Sequence, residues 1–168
     1  LCAKTGGDAA CLTVSSVTKV NRGLLGGSTV NFVGTATIGG DHVYPGWLAG
    51  AGIGFASAPG CNAVSVAEYV TASLFVLAGE LGFRLRGKKL GVVGAGNVGS
   101  RVAARAEALG LTVVLNDPPL AEKTGDPRYR PLEEIYGCDI VTFHTPLEKT
   151  GPHPTYHLLD RALLERLK

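Results

Sequence analysis

Three glycines and one aspartate of this 168-residue chain have the types and spacing that most directly indicate a chemistry. Gly94, Gly96 and Gly99 form a G-x-G-x-x-G turn, and Asp117 follows Gly99 by 18 residues. Gly94 permits a tight turn, Gly96 lets the backbone approach a phosphate, and Gly99 lets the next helix pack closely on its strand. A helix that begins at such a turn presents free N–H groups to an anion. The pattern therefore predicts a site for the pyrophosphate of a dinucleotide.

Such a turn binds a dinucleotide only within a strand–helix–strand unit, and the flanking sequence predicts one. The apolar run at residues 90–94 is typical of a buried parallel strand. Residues 100–109 are typical of a surface helix that ends at Gly110. A second apolar strand at residues 111–115 leads into Asp117. The order of these elements predicts a Rossmann unit.

A carboxylate at Asp117 would accept hydrogen bonds from the adenosine ribose hydroxyls and would repel a 2′-phosphate. This position therefore favours NAD over NADP as the cofactor. The alternative interpretation is that Asp117 only begins a turn before Pro118 and Pro119. The complete strand–helix–strand context favours the ribose role.

The rest of the chain predicts a second α/β region before the dinucleotide unit. Ser65 and Glu68 have the spacing of a capping box at the start of a long helix. We predict a substrate domain at residues 1–81 and an NAD-binding domain at residues 82–168. Further strands are expected at residues 11–17, 30–36, 53–56 and 139–144, and further helices at residues 45–51, 66–81, 132–136 and 160–167.

Composition argues against several other classes of protein. The net charge of +2 is too small to indicate a nucleic-acid partner. The most apolar helix is interrupted by Glu68 and Thr71, so no membrane span is expected. The four cysteines form no C-x-x-C pair, which predicts neither a metal site nor a disulfide framework. We expect a cytoplasmic protein whose partner is a small molecule.

Three segments together resemble the NAD-dependent D-isomer-specific 2-hydroxyacid dehydrogenases. The segments are residues 59–69, residues 91–99, and residues 143–147 followed by Thr150 and residues 158–168. The resemblance implies a flavodoxin-like substrate domain followed by a Rossmann NAD-binding domain, each of them partial in this chain. It also implies NAD as the cofactor and a homodimer as the state of the intact protein.

The resemblance implies a role for several side chains and backbone groups. Ser16 and Thr37 match positions that bind substrate. Asn97 and Val98 match the turn under the cofactor pyrophosphate, and Thr145 matches a residue that contacts the cofactor.

In this family a histidine takes the hydroxyl proton, a glutamate orients that histidine, and an arginine binds the substrate carboxylate. The resemblance places all three beyond Lys168, so no residue here is expected to be catalytic. This chain is accordingly expected to be an internal fragment that is inactive by itself. His144 is a less favoured candidate for a general base.

Further segments narrow the resemblance to a family member that acts on a phosphorylated four-carbon hydroxy acid. They are residues 16–21, 32–37, 41–43, 58–63 and 116–119. Ser15 departs from the family, which often has an arginine there, and this puts tight binding of the substrate phosphate in doubt. Three alternatives stay open: a family member acting on phosphoglycerate, a non-enzymatic NAD-binding corepressor, and a fragment that binds no dinucleotide.

Overall fold

The computed structural model describes residues 9–15, 18–35 and 42–166 of the chain. The chain divides into two compact units, Leu1–Asn62 and Ala63–Lys168, called unit 1 and unit 2. Within the described residues, each unit contains a three-stranded parallel sheet, as expected for an α/β fold.

Unit 1 has the strand order β1-β2-β3. Asn21 caps the first helix because its side chain accepts hydrogen bonds from two backbone N–H groups of the first turn. The second helix begins with Pro45, whose fixed φ suits a first helical turn. Val20, Val33 and Leu48 are fully buried in the core of the unit. The elements are β1 (Cys11–Val14), α1 (Arg22–Leu25), β2 (Phe32–Thr35), α2 (Pro45–Gly50) and β3 (Gly54–Ser57).

Unit 2 has the strand order β5-β4-β6, so the strand before the glycine turn lies in the centre of the sheet. Four of the five residues of this central strand are buried, which accounts for its continuous apolar sequence. The strands are β4 (Lys89–Val93), β5 (Thr112–Asn116) and β6 (Ile140–Phe143). The helices are α3 (Ala63–Glu80), α4 (Gly99–Ala108), α5 (Pro118–Thr124), α6 (Leu132–Ile135) and α7 (Arg161–Leu164).

The register of this sheet makes its three strands end together. Val93 at the end of β4 pairs with Asn116 of β5 and with Phe143 of β6. The residues that follow the strands, Gly94 among them, are therefore neighbours at one edge of the sheet.

Helix α3 begins earlier than the sequence predicts and belongs to the other part of the molecule. The sequence places it in the substrate domain and puts the boundary after Leu81, whereas the division falls between Asn62 and Ala63. The physical reason is packing, because Ala67 and Leu74 are buried in the same core cluster as Leu90. The capping-box prediction is wrong, since Ser65 lies inside the first turn of α3.

By length and composition alone, α3 is apolar enough to cross a membrane, which differs from the expectation drawn from the sequence. Its mean hydropathy is 1.3 and 17% of it is buried. The buried residues of α3, Ala63, Ala67 and Leu74, lie in one core cluster with residues of α4.

Candidate cofactor site

The glycine turn follows β4 directly and has a backbone that requires glycine at its first position. Gly94 has φ of +87°, in the left-handed region. A Cβ added to Gly94 would lie 2.8 Å from the carbonyl carbon and oxygen of His144. The left-handed backbone of Gly94 and the close approach of His144, which follows β6, therefore exclude a side chain at this position.

Gly96 and Gly99 have different surroundings in this turn. A Cβ added to Gly99 would collide with the carbonyl oxygen of Gly94, so this glycine allows α4 to pack on the strand. A Cβ added to Gly96 would meet no atom of the described residues within 4 Å, so the backbone at Gly96 has space beside it. No side chain caps the N-terminus of α4, where Asn97 is exposed and Val98 is buried. This end of the helix is therefore accessible to an anion.

Asp117 joins the glycine turn to the helix that follows β5. One carboxylate oxygen, Oδ2, accepts a hydrogen bond from the N–H of Ala95 at 2.8 Å. The other, Oδ1, accepts one from the N–H of Leu120 at 3.0 Å and so caps α5. A carboxylate has about four acceptor positions, so two stay available to ligand hydroxyls.

The sequence predicts a turn at Pro118 and Pro119 as the alternative to a ribose-binding Asp117, but the structure has a helix there. Both prolines occupy the first turn of α5. Proline fits this position because the N–H it lacks has no partner within a helix. The capping role and a ligand-binding role of Asp117 are compatible, since they use different lone pairs of the carboxylate.

A cavity of about 380 Å³ lies at this edge of the unit 2 sheet. Small-molecule sites commonly measure about 300–1,000 Å³. Its lining contains five prolines and two leucines beside the glycine turn and Asp117, together with polar residues that include Asn116, Glu148 and Thr155. The lining includes Gly94, Gly96, Asp117, Pro118, Pro119, Leu132, Thr145, Pro146, Pro152, His153, Pro154 and Leu158.

A long segment after β6, residues 146–158, forms one wall of the cavity. Thr155 closes the segment on itself, because its Oγ1 donates to the carbonyl oxygen of Pro146 and accepts from the N–H of Glu148. The backbone N–H of Thr155 also donates to the carbonyl oxygen of Glu148, at 2.8 Å. The sequence does not predict this wall, because no local pattern in it shows how residues 146–158 fold.

Thr145 and His144 lie at the end of β6, next to the turn. Thr145 lines the cavity, as does His144. The imidazole Nε2 of His144 lies 3.0 Å from Oγ1 of Thr142, and burial lowers the pKa of this imidazole. Burial therefore favours the neutral form of His144.

The corresponding strand ends of unit 1 form a different kind of surface. An open cavity of about 720 Å³ is lined there by four hydroxyl-bearing residues and four residues without a hydroxyl, namely Thr13, Ser15, Thr35 and Ser57, and Val14, Gly34, Ala56 and Ala58. Ser16 and Thr37, the predicted substrate-binding residues, lie outside the described residues. Among the residues that are described, no group of three or more His, Cys, Asp or Glu could hold a metal ion.

The described residues of unit 2 fit a dinucleotide. The turn leaves space where a phosphate would approach, the carboxylate has free acceptor positions, and the cavity has apolar walls. An apolar cavity with a few convergent polar groups is the usual form of a cofactor site.

Comparisons with known proteins agree with this geometry. Residues 63–168 match the model of the NAD-binding domain of D-isomer-specific 2-hydroxyacid dehydrogenases. Over 162 residues the chain is 54% identical to erythronate-4-phosphate dehydrogenase of Citrobacter koseri, covering 96% of this chain and 43% of that protein. The chain thus spans less than half the length of that relative.

Solved structures show the same fold. The TT0316 protein of Thermus thermophilus superposes with a TM-score of 0.81 at 25% identity, covering 95% of this chain and 57% of that one. The NAD⁺-bound 3-phosphoglycerate dehydrogenase of Entamoeba histolytica superposes with a TM-score of 0.75 at 24% identity, covering 99% of this chain and 55% of that one.

Proposed function

This chain belongs to the D-isomer-specific 2-hydroxyacid dehydrogenases, and from that premise we propose that the whole protein oxidises 4-phospho-D-erythronate with NAD. The product would be (R)-3-hydroxy-2-oxo-4-phosphooxybutanoate, in the synthesis of pyridoxal 5′-phosphate (vitamin B6). The observation that carries the substrate assignment is the 54% identity to an erythronate-4-phosphate dehydrogenase. The two solved structures, at 24% and 25% identity, favour no substrate over another.

Unit 2 would hold the NAD, in the cavity at the end of its sheet. The backbone from Gly96 to Val98 would bind the pyrophosphate, since the N-cap residue of α4 makes no side-chain capping hydrogen bond. Asp117 would accept hydrogen bonds from the ribose hydroxyls, and the adenine would lie between the proline-rich walls. Thr145 would contact the cofactor from the end of β6.

Bound NAD would supply the hydride acceptor for the reaction. The substrate would lose the hydrogen on C2 as a hydride and the hydroxyl hydrogen as a proton, leaving a 2-oxo acid. The described residues of this chain would bind and orient the cofactor, and none of them is assigned to take the proton.

Unit 1 would contribute to binding the phosphorylated acid. The hydroxyls of Thr13, Ser15 and Ser57 line one cavity, and hydroxyls are suitable donors to phosphate or carboxylate oxygens. Ser16 and Thr37 remain predicted members of this site.

The homodimer is part of the same proposal. Helix α3 exposes Tyr69, Phe75 and Val76 to solvent at 74%, 55% and 57%. Contiguous exposed apolar side chains often mark a protein–protein interface, so a second copy of unit 2 is the proposed partner. We propose the cytoplasm as its location and neither membrane nor nucleic acid as partners.

The proposed activity is tested by assaying the whole protein with NAD and two phosphorylated acids. NADH formation with 4-phospho-D-erythronate and little or none with 3-phosphoglycerate is expected. The reverse preference would overturn the substrate assignment. The 168-residue chain assayed by itself is expected to bind NADH and to form none.

A further inference from the structure

We propose that Glu122 and His153 form a clamp that sets the width of the cofactor cavity and thereby its affinity for the adenosine half of the ligand. Both are positioning residues in this proposal, because they act through the walls of the cavity. The proposal rests on the assignment of this cavity to NAD.

The cavity lies between two walls that are distant in sequence. One wall is the first turn of α5, through Pro118 and Pro119. The other wall is the segment 146–158. An adenine ring held between them would respond to any change in the distance between the walls.

The contact between Glu122 and His153 joins these two walls. Nε2 of His153 lies 2.8 Å from Oε1 of Glu122, and the two residues are 31 positions apart. The side chain of His153 is 28% exposed and that of Glu122 is 67% exposed. His153 lines the cavity, whereas Glu122 lies on α5 behind the lining and does not contact the ligand space.

No second hydrogen bond or ion pair joins the segment 146–158 to α5 in the described residues. Thr155 holds the segment in shape, but its partners Pro146 and Glu148 belong to the same segment. Within the part of the chain that the structure describes, the Glu122–His153 contact is the one hydrogen bond or ion pair between the segment and α5. Loss of this contact would therefore release one wall while leaving the sheet and the segment intact.

Glu122 provides the cleaner test, because changing it leaves the cavity lining unaltered. Exposed ion pairs contribute little, so Glu122→Ala should weaken binding by about two- to fivefold, the equivalent of about 0.4–1 kcal/mol. Glu122→Gln keeps an acceptor oxygen for His153 and should recover most of the affinity. Lys123→Ala, one position along on the same helix, is the matched control and should bind like the wild type.

The experiment is calorimetric titration of the 168-residue chain and its variants with AMP and with NADH. The proposal expects Glu122→Ala to weaken both ligands by the same factor, with an unchanged melting temperature. It also expects the double variant with His153→Ala to bind no more weakly than the His153→Ala variant. Wild-type affinity in Glu122→Ala, or losses that multiply in the double variant, would overturn the clamp alone. A wild-type chain that binds neither ligand would overturn the cofactor assignment and the clamp with it.

Discussion

The two units present different surfaces at the same edge of the same kind of sheet. In unit 1 the parallel strands end at an open cavity of about 720 Å³ that is bordered by hydroxyl groups. In unit 2 they end at a cavity of about 380 Å³ that is bordered by a glycine turn, a carboxylate and prolines. The fold brings strand ends together in both cases, and the residues after the strands decide which ligand the edge suits.

The residues directly after the strands make this difference concrete. In unit 2, Gly94 and Asp117 follow β4 and β5, and they are joined through the N–H of Ala95. In unit 1, Ser15 follows β1 and Ala58 follows β3. A shaped turn with a fixed carboxylate suits a nucleotide, whereas an open set of hydroxyls suits a small anion.

The largest effect is expected from Gly99→Ala, which would distort the glycine turn at the edge of the unit 2 sheet. The new Cβ would collide with the carbonyl oxygen of Gly94, and both partners are fixed backbone. Overpacking of this kind costs about 3 kcal/mol at the upper end of its usual range. Chemical denaturation should show this loss in the free energy of unfolding, and NADH binding should be abolished.

Gly96→Ala is the matched control, because a Cβ there meets no protein atom within 4 Å. Its stability should equal that of the wild type, while NADH affinity should fall about tenfold because the methyl group occupies the approach of the phosphate. Equal affinity in Gly96→Ala and wild type would place the ligand away from the turn.

The next largest effect is expected from Asp117→Ala. Hydrogen bonds to a charged group contribute about 1.5–3 kcal/mol, so NADH affinity should fall by about ten- to hundredfold. Loss of the cap on α5 should also cost about 1 kcal/mol of stability. Asp117→Asn keeps the capping oxygen, loses the acceptor for the N–H of Ala95 and no longer repels a 2′-phosphate. Its affinity for both cofactors should fall, and its preference for NADH over NADPH should shrink. An unchanged ratio of the two affinities would argue against the ribose role.

A smaller effect is expected at the edge of unit 1. Ser57→Ala in the whole protein should weaken binding of the phosphorylated acid about fivefold, the equivalent of roughly 1 kcal/mol for one hydrogen bond. The affinity for NADH should stay the same, since Ser57 belongs to unit 1. A loss of NADH affinity in this variant would contradict the assignment of the phosphorylated acid to the unit 1 edge and of NAD to the unit 2 edge.

Much of the cofactor edge was predictable because its signals are local. The strand before the turn was predicted at residues 90–94 and is Lys89–Val93, and the helix after it was predicted at 100–109 and is Gly99–Ala108. Apolar runs and glycine spacing involve residues that are close in sequence, so they can be recognised without knowledge of the fold.

Other structural features could not be predicted, because the local sequence is compatible with more than one structure. Helix α5 was not predicted, because Pro118 and Pro119 suit a turn as well as a first helical turn. The position of the segment 146–158 as a cavity wall could not be predicted, because it depends on contacts such as Glu122–His153 between residues 31 positions apart. The start of α3 at Ala63 was set by packing in the core of unit 2, and no local cap marks it.

The smallest predicted effect concerns pH. Burial lowers the pKa of His144 below its ordinary value of 6.5, so the unfolded chain binds more protons than the folded chain as the pH falls through that value. Stability from this group is complete above pH 6.5 and decreases below it. The free energy of unfolding should fall from pH 7 to pH 5 by a smaller amount in His144→Gln than in the wild type, and equal losses would contradict this account.

The central claim is that NAD binds at the carboxyl edge of the unit 2 sheet. Amide chemical shifts of the ¹⁵N-labelled 168-residue chain, recorded during a titration with NADH, test this directly. The account predicts saturable shifts at Gly96, Val98, Asp117 and Thr145, and unchanged amides at Thr13 and Ser57. Shifts confined to unit 1, or no saturable shifts in unit 2, would contradict it.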